Sequence, residues 1–530
     1  MAKASLLCTL NVALGLMVFA PDAPAQTYTD LFDLTQETGS GPYIPNLIAQ
    51  GQDGNLYSTM PSSFPGDGTA TLSSPSGGVT ALHYFDGTDG FSPYSGLTLG
   101  LDGNFYGTTY IHTSDGYGEV FQLAPSGAVT VLYRFTNGAD GGSPWAPPVM
   151  APDGNLYGVT QGSTPVAYRV AMPSGTVSVL ANLPAASEAP LMVGTDGKLY
   201  GTTVNGGTFN AGTVFQLTTK GVLKIIYSFG TASNDGTSPN GALVQGSDGK
   251  LYGATYWGGA TGHGTVYQLS TSGAYKTLHN FTGSDGSNPA SALVQGSDGF
   301  LYGVTGAGGA LGYGAFFKIN TSGTTFKVLH DFDGKTSGGD PFSTILLHTN
   351  GLIYGWGGNG PKEGVLYSMD VGLKPFASLV VIGSGKVGTQ VGILGQGFSA
   401  ATGVKFGSGP GTFNVVSDTY MTAAPAAGAT TGRVTIVESG GNLVTPQTFR
   451  VTPQIKGFRP TSGTVGTVVT ITGVSLSQTT AVTFGGVPAI FTVKSDTQVN
   501  ATVPAGAVTG KIGITTKGGM AASVMNFTVN

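Results

Sequence analysis

Short runs in which hydrophobic and polar positions alternate cover the chain from residue 27 onwards. In one representative stretch, the run Leu251–Thr255 is followed by Thr265–Leu269 and by a third run that ends at Phe281. A hydrophobic period of two is typical of β-strands, whose successive side chains point to opposite faces of a sheet. Asp-Gly pairs lie between runs and suit tight hairpin turns, because those turns need positive φ angles. The pattern therefore predicts many short antiparallel strands.

These strands belong to a tandem repeat whose most regular feature is the motif Asp-Gly-x-Leu-Tyr. Successive copies are 43 to 52 residues apart, and we expect four strands in each. Four antiparallel strands every ~50 residues indicate a β-propeller, whereas a parallel β-helix needs a shorter period and an α-solenoid needs helical spacing. The seven copies begin at Asp53, Asp102, Asp153, Asp196, Asp248, Asp298 and Asn350.

The two ends of the repeat array complement each other. The last copy stops after the run at 365–369, without the strand that ends in Phe. The missing strand stands before the first copy as Leu-Phe-Asp-Leu at 31–34, followed by Gly-Pro at 41–42. Since an open ring would leave unpaired strand edges, we expect the N-terminal strand to complete the seventh blade. The propeller is predicted to span residues 26–372.

A second repeat, offset by 78 residues, covers the rest of the chain. The segment 404–407 matches 482–485, and Ser-Asp-Thr at 417–419 matches Ser-Asp-Thr at 495–497. Short alternating strands with frequent turns predict two immunoglobulin-like β-sandwiches, at 373–452 and 453–530. The expected fold class is all-β: a seven-bladed β-propeller followed by two sandwiches.

Both regions resemble known families. The unit at 242–273, ALVQGSDGKLYGATYWGGATGHGTVYQLSTSG, resembles the GloVer-type tandem repeat of exported bacterial proteins. The stretch 453–530, with Pro-Thr-Ser-Gly at 460–463, is similar to an IPT/TIG domain, and 373–452 resembles a more divergent copy. The resemblance implies that these modules act as spacers or adhesive parts and implies no catalysis.

The N-terminus is typical of a secretory signal peptide at residues 1–25. One positive charge at Lys3 precedes an apolar stretch at 5–20, and Ala23 and Ala25 form an A-x-A cleavage site. An uncleaved anchor helix is the alternative. We expect export to the extracellular space, the cell surface or the periplasm, as a mature chain with no membrane span and, because Cys8 lies within the leader, no cysteine.

Composition narrows the possible functions. Charged residues make up 9% of the chain and the net charge is −5, with no basic run, so the clustered positive charge that nucleic-acid binding needs is absent from the sequence. Glycine is abundant, at 89 of 530 residues, but shows no collagen period. Ample aromatic and aliphatic residues also argue against disorder.

Candidate catalytic and metal-binding residues are few. His83, His279 and His330 share one repeat position with Tyr133 and Tyr227, which predicts a packing role. The sequence has no H-E-x-x-H motif and no hydrolase-type Gly-x-Ser-x-Gly turn, so we expect neither a cofactor nor a metal. Loop acids could bind calcium, but one or two carboxylates per loop favour Asx-type turns instead. These acids are Asp86, Asp89, Asp140, Asp235, Asp285 and Asp340.

Aromatic residues after the loop proline are the candidate binding site. Four copies place a ring there, whereas Asn240 and Ala290 occupy the position in two others. Such rings could form a platform at the mouth of the channel that stacks on a sugar or a peptide, or they could wedge between blades. The four are Tyr43, Tyr94, Trp145 and Phe342.

Together these features predict an exported, non-enzymatic binding or interaction protein. The propeller face would recognise a glycan or a protein, with the immunoglobulin-like modules as spacers or adhesive parts. Two alternatives stay open: a polysaccharide-active enzyme that uses paired carboxylates, and a purely structural component of the cell surface.

Overall fold

The computed structural model describes residues 26–530, apart from 36–37, 39–46, 64–65, 112–115, 233, 290, 342–343, 359–363 and 381–382. Apart from the short 3-10 helix Phe398–Ala400, the regular structure in these residues consists of strands. The predicted all-β fold class is confirmed. No helix of the described residues has the length and apolar character that crossing a membrane requires. The predicted signal peptide, 1–25, lies outside the described residues.

Seven four-stranded antiparallel sheets, here blades 1 to 7, form the repeat region. Each begins with an inner strand of two residues, and β1 (Thr27–Asp33) is the outermost strand of blade 7. Blades 1 to 3 comprise β2 (Ala49–Gln50), β3 (Leu56–Met60), β4 (Thr69–Ser73) and β5 (Val79–Tyr84); β6 (Thr98–Leu99), β7 (Phe105–Thr109), β8 (Glu119–Leu123) and β9 (Val129–Arg134); and β10 (Val149–Met150), β11 (Leu156–Val159), β12 (Val166–Ala171) and β13 (Thr176–Asn182).

The remaining blades follow the same pattern, with one additional two-stranded ladder in the loops beside blade 5. Blade 4 comprises β14 (Met192–Val193), β15 (Leu199–Thr203), β16 (Thr213–Leu217) and β17 (Leu223–Ser228), and blade 5 comprises β19 (Val244–Gln245), β20 (Leu251–Thr255), β22 (Thr265–Leu269) and β23 (Tyr275–Asn280). The ladder pairs β18 (Gly236–Thr237), which precedes blade 5, with β21 (Trp257–Gly258), which lies between β20 and β22. Blade 6 comprises β24 (Val294–Gln295), β25 (Leu301–Thr305), β26 (Ala315–Ile319) and β27 (Phe326–Asp331), and blade 7 comprises β28 (Leu346–Leu347), β29 (Ile353–Gly357) and β30 (Val365–Asp370) with β1.

The repeated motif builds the hairpin between the first two strands of each blade. In blade 6, the Asp298 Oδ1 atom accepts a hydrogen bond from the Phe300 backbone N–H at 3.2 Å, and Gly299 takes the positive φ that the turn requires. The Tyr302 hydroxyl donates to the second carboxylate oxygen of Asp298 at 2.7 Å. The same phenol-to-carboxylate bond recurs at 2.6–2.9 Å from Tyr57, Tyr106, Tyr157, Tyr200 and Tyr252.

The glycine after the motif tyrosine makes room for an aromatic ring on the neighbouring strand. Gly303 pairs with Phe317 across β25 and β26, and a Cβ atom on Gly303 would lie only 2.6 Å from that ring. In blade 1 the equivalent pair is Ser58 and Thr71. The aromatic ring is replaced there by the smaller threonine, and the glycine is replaced by a residue with a side chain. The Leu-Tyr-Gly sequence is therefore a packing requirement of the blade.

Apolar clusters fill the spaces between neighbouring blades and form a closed series around the ring. Glutamines of the inner strands add polar links between blades. Gln245 accepts a hydrogen bond from the Thr195 N–H at 2.8 Å, and Gln295 accepts one from the Ser247 N–H at 2.8 Å.

The chain closes the ring as the sequence predicts. Strand β1 pairs antiparallel with β30, and the Leu34 N–H donates to the Gly364 carbonyl at 2.8 Å. Leu34 and Trp356 are buried in one cluster with residues of blade 1, so the first and last blades share a core. Closure leaves blade 7 with the same four strands as its neighbours.

Two β-sandwiches with equivalent strand order follow the propeller. In the first sandwich, β35 is continuous and pairs with strands of both layers, so that the layers form one eight-stranded sheet. In the second sandwich, the equivalent segment is divided into β43 and β44 around the exposed Ile490, and the two sheets are separate. The strands are β31 (Ser378–Leu379), β32 (Ser384–Gly385), β33 (Val391–Leu394), β34 (Ala401–Phe406), β35 (Gly409–Val415), β36 (Tyr420–Pro425), β37 (Gly432–Glu438), β38 (Leu443–Val451), β39 (Gln454–Arg459), β40 (Ser462–Gly463), β41 (Val468–Val474), β42 (Thr479–Phe484), β43 (Val487–Ala489), β44 (Phe491–Ser495), β45 (Gln498–Thr502), β46 (Gly510–Thr516) and β47 (Gly519–Val529).

The propeller has two faces that differ in what covers them. The turn face carries the Asp-Gly hairpins, such as 246–250, and the loop face carries connections such as 256–264 and 281–289. The first sandwich docks on the turn face. Its Thr419 hydroxyl donates to the Gln52 carbonyl and its Arg450 guanidinium to the Thr195 carbonyl, both at 2.7 Å. Tyr420 packs into the apolar cluster between blades 1 and 2. The loop face is on the opposite side.

Candidate functional site

Three aromatic rings meet on the loop face, where the chain enters blades 2 and 3. The rings of Tyr94 and Trp145 stack with centroids 4.7 Å apart at an interplanar angle of 8°. Tyr110, just after β7, stands edge-on to both, at 5.8 Å from Tyr94 and 5.0 Å from Trp145. All three side chains are half-buried, so this aromatic trio packs against itself and still contributes to the surface.

A recurrent strained residue positions the trio. In the five described loops that contain this proline, the residue before it has a positive φ, 51° at Ser92 and 50° at Ser143, although a residue before proline favours extended backbone. Hydrogen bonds from the peptide groups of these serines to the neighbouring loop hold this conformation. The Ser143 N–H donates to the Tyr117 carbonyl at 2.6 Å, and the Ser92 carbonyl accepts from the Tyr110 N–H at 3.2 Å. The same left-handed conformation recurs at Ser238, Asn288 and Asp340. Backbone strain of this kind persists only where surrounding contacts enforce it.

The structure brings together two of the four rings that the sequence predicts as the binding site. Tyr94 and Trp145 are in contact, whereas Tyr43 and Phe342 lie outside the described residues. Sequence reasoning missed Tyr110, the third member of the trio. A signal was present, because Tyr110 follows the second strand of its blade at the position that Tyr256 holds in blade 5.

Further bulky apolar side chains are exposed on the same face. Trp257 is 51% exposed, and its ring meets that of Tyr256 at 4.8 Å in a T-shaped contact. Others stand in the second-to-third-strand connections of blades 2, 4 and 6. These exposed residues are Ile111, Tyr117, Phe209, Leu311 and Tyr313.

Five of the six acids of the blade-to-blade connections bind groups of their own blade: Asp86, Asp89, Asp140, Asp235 and Asp285. Asp86 accepts the Thr88 N–H at 2.9 Å, which is the predicted Asx-type turn. The shared His/Tyr position packs as expected, and four members also hydrogen-bond to a loop acid. The pairs are His83 with Asp89 at 2.5 Å, Tyr133 with Asp140 at 2.9 Å, Tyr227 with Asp235 at 2.8 Å, and His279 with Asp285 at 3.0 Å.

Burial sets the protonation of the aromatic partners in these pairs. Burial raises the pKa of Tyr227 to about 12, so its hydroxyl stays a donor to Asp235. Burial lowers the pKa of His279, and the neighbouring Asp285 opposes that shift. His330 differs, because its Nε2 atom is buried without a hydrogen-bond partner among the described residues, while its ring stacks on Tyr28 at 4.1 Å. Within the described residues, no three His, Cys, Asp or Glu side chains are grouped as a metal site would need.

One acid on this face is different. Glu188 lies in the connection between blades 3 and 4, and burial raises the pKa of its carboxyl group. A raised pKa is one property that a carboxyl group acting as a general acid requires.

Comparison with solved structures finds similar proteins, each at low sequence identity. A fungal alcohol oxidase in complex with copper is 14% identical, with a TM-score of 0.47, over 95% of this chain and 99% of the oxidase. TolB from Acinetobacter baumannii is 13% identical, with a TM-score of 0.34, and the match spans 54% of this chain and 63% of TolB. A surface glycan-binding protein from Prevotella bryantii is 14% identical, with a TM-score of 0.23, over 28% of this chain and 38% of that protein. Among curated proteins, none matches this chain.

Family comparison covers most of the sequence. The Gloeobacter/Verrucomicrobia repeat matches residues 16–191 and 186–413, and the IPT/TIG domain matches residues 453–529. The resemblances found in the repeat motif and in the C-terminal stretch are thereby confirmed. The repeat match continues beyond β30 into the first sandwich. The chain therefore belongs to the Gloeobacter/Verrucomicrobia repeat family and carries an IPT/TIG domain at residues 453–529.

Proposed function

We propose that this chain is an exported, non-enzymatic binding protein that recognises a glycan on its loop face. A repeat propeller joined to an IPT/TIG domain suggests an interaction protein. The observation that carries the proposal is the distribution of exposed rings. The aromatic trio and Trp257 share the loop face, while the first sandwich covers part of the turn face.

The chemistry of this face favours a neutral glycan over a charged ligand. Aromatic rings stand among glycine, alanine and threonine in segments such as 256–264 and 305–314. An aromatic ring offers an apolar surface to the C–H face of a sugar, and the tyrosine hydroxyl and the indole N–H can bind sugar hydroxyls. A few such groups on a rigid scaffold are a common arrangement for ligand recognition.

The loop acids support binding rather than catalysis. Four of them hold a His or Tyr side chain of the same blade, which gives them a repeated structural task. Glu188 favours the second candidate, a polysaccharide-active enzyme, because its raised pKa suits a general acid. Chain cleavage on a polysaccharide panel that Glu188→Gln abolishes would establish that candidate.

The test measures binding of the full chain to an array of neutral and charged glycans. We expect the chain to be retained on one class of neutral glycan. Trp145→Ala and Trp257→Ala should each lower the affinity about tenfold or more, which is the loss typical of replacing an aromatic hot-spot residue by alanine. Trp257 is the safer position because it is half exposed and its removal leaves the core intact. Val524→Ala, at a residue 88% exposed on the IPT/TIG domain, is the matched control.

The proposal fails if folded Trp145→Ala and Trp257→Ala bind the glycan as the parent chain does. It also fails if no glycan is retained while a protein partner binds and the same two substitutions abolish that interaction.

A further inference from the structure

A cleft of about 610 Å³ opens on the turn face between the propeller and the sandwiches. Blades 4 to 7 form its floor, and residues of the first sandwich, among them Arg450, form the opposite wall. The volume lies within the range of ~300–1,000 Å³ that is usual for small-molecule sites, which often form between domains. This cleft is on the face opposite to the aromatic trio and is independent of the proposed glycan site.

The floor of the cleft is apolar and repeats from blade to blade. The first residue of four successive inner strands lines it: Met192, Val244, Val294 and Leu346. Each of these side chains is half-buried. Phe376, from the segment that joins the propeller to the first sandwich, adds an aromatic wall. A floor of this kind favours the apolar body of a ligand.

The polar groups beside this floor are fixed by neighbouring blades. Gln245 and Gln295 line the cleft, and each uses its amide carbonyl and its amide N–H in hydrogen bonds to backbone atoms of the turns. Because the carbonyl and the nitrogen of each amide already have protein partners, a ligand can bind here without forming a hydrogen bond to either side chain.

The rim carries an excess of positive charge. Arg450 of the first sandwich and Lys517 of the IPT/TIG domain line it, and neither has an acidic partner within 4.0 Å among the described residues. Arg450 donates to the Thr195 carbonyl at 2.7 Å, which holds the guanidinium at the rim while its remaining N–H groups stay donors. Asp196, the acid of the rim, lies 3.2 Å from Lys198 and accepts from the Tyr200 hydroxyl.

We propose that this cleft binds an amphipathic organic anion, with its alkyl or aromatic body on the apolar floor and its carboxylate or sulfonate at Arg450 and Lys517. The two cations come from different sandwiches, and the apolar floor comes from the propeller. Such a ligand therefore contacts all three parts of the chain at once.

The test uses two probes, anilinonaphthalene sulfonate and dodecanoate, with the full chain. We expect saturable fluorescence of the dye, displaced by dodecanoate below its micelle concentration. Dodecanol and dodecylammonium have the same alkyl chain with a neutral or a positive head group. Each should displace the dye at least about fivefold less well than dodecanoate does, because a single exposed ion pair contributes about that much to affinity.

Two variants locate the site. Val294→Trp fills the floor and should abolish saturable binding of the dye, with the thermal midpoint measured to confirm folding. Lys517→Glu changes an exposed side chain and should weaken binding of both anions about fivefold or more. Lys511→Glu, at an exposed lysine of the same sandwich, is the matched control and should bind as the parent does.

Equal displacement by dodecylammonium and dodecanoate would overturn the anion preference. Unchanged dye affinity in a folded Val294→Trp chain and in Lys517→Glu would overturn the location.

Discussion

The bond between the motif tyrosine and the turn aspartate should be a measurable source of stability. In blade 6, Tyr302→Phe removes the donor to Asp298, and a hydrogen bond to a charged group is worth about 1.5–3 kcal/mol. We expect a loss of about 2 kcal/mol in the free energy of unfolding, measured by urea denaturation. Burial and this hydrogen bond raise the pKa of Tyr302, so the effect should not change between pH 6 and 9.

A buried phenol in blade 5 provides the contrast. The Tyr267 hydroxyl is buried and has no hydrogen-bond partner among the described residues. Removing it costs no hydrogen bond, so Tyr267→Phe should be as stable as the parent or more stable. An equal loss in both variants would show that ring packing, not the aspartate bond, determines the effect.

His348 should make the closure between blades 7 and 1 sensitive to acid. Its Nε2 atom lies 3.0 Å from the Gly54 carbonyl, and its Nδ1 atom accepts the Asn350 N–H at 3.1 Å, an arrangement that only the neutral ring satisfies. Burial lowers the pKa of His348 below its ordinary 6.5. The unfolded chain therefore takes up the proton first as pH falls, and stability decreases below about pH 6.5.

The measurement is the thermal midpoint between pH 7.5 and 5. Burial also lowers the pKa of His279 and His330, so they contribute with the same sign. His348→Gln should be less stable at pH 7.5 and should lose less on acidification than the parent does. An identical pH dependence in the two chains would assign the acid sensitivity to other groups.

At the scale of elements, the N-terminal strand is expected to stabilise the whole ring. Deletion of residues 26–34 removes β1 and exposes the edge of β30, which pairs with it from Asp370 to Val365. We expect the thermal midpoint of the propeller to fall by about 10 °C, together with aggregation, since several ladder hydrogen bonds and the contacts of Leu34 are lost. Unchanged stability after deletion would mean that blade 7 is complete without this strand.

The strands could be predicted from the sequence because local patterns specify them. Alternation marks the outer strands, and Asp-Gly marks the hairpin that carries Tyr302. The loop-face site could be predicted only in part. Tyr94 follows a loop proline and could be found. The position of Tyr110 after its strand was visible too, but its contact with Tyr94 depends on the hydrogen bond between two loops at Ser92, which the sequence does not specify.

At the scale of the whole molecule, the docking of the first sandwich could not be predicted. The 78-residue offset predicts two similar sandwiches, and their strand orders agree. One docking residue differs between the copies: Tyr420 packs against blades 1 and 2, while its counterpart in the second sandwich is the partly exposed Gln498. Thr419 binds Gln52, which lies 367 residues earlier in the chain. No repeat in the sequence relates these two positions, so the contact could not be predicted from the repeat spacing.

This difference gives a test of whether the chain behaves as one unit. Tyr420→Asp places a charge in the apolar contact between the first sandwich and blades 1 and 2, and an unpaired buried charge is strongly unfavourable. We expect the sandwich to separate from the propeller, which calorimetry would record as two independent unfolding transitions and X-ray scattering as a larger radius of gyration. Gln498→Asp makes the same change at the equivalent position, where no propeller is docked, and should preserve the parent behaviour. If Tyr420→Asp kept the parent's calorimetric and scattering profiles, the apolar contact would be incidental to docking, and polar contacts such as the bonds from Thr419 and Arg450 would hold the sandwich in place.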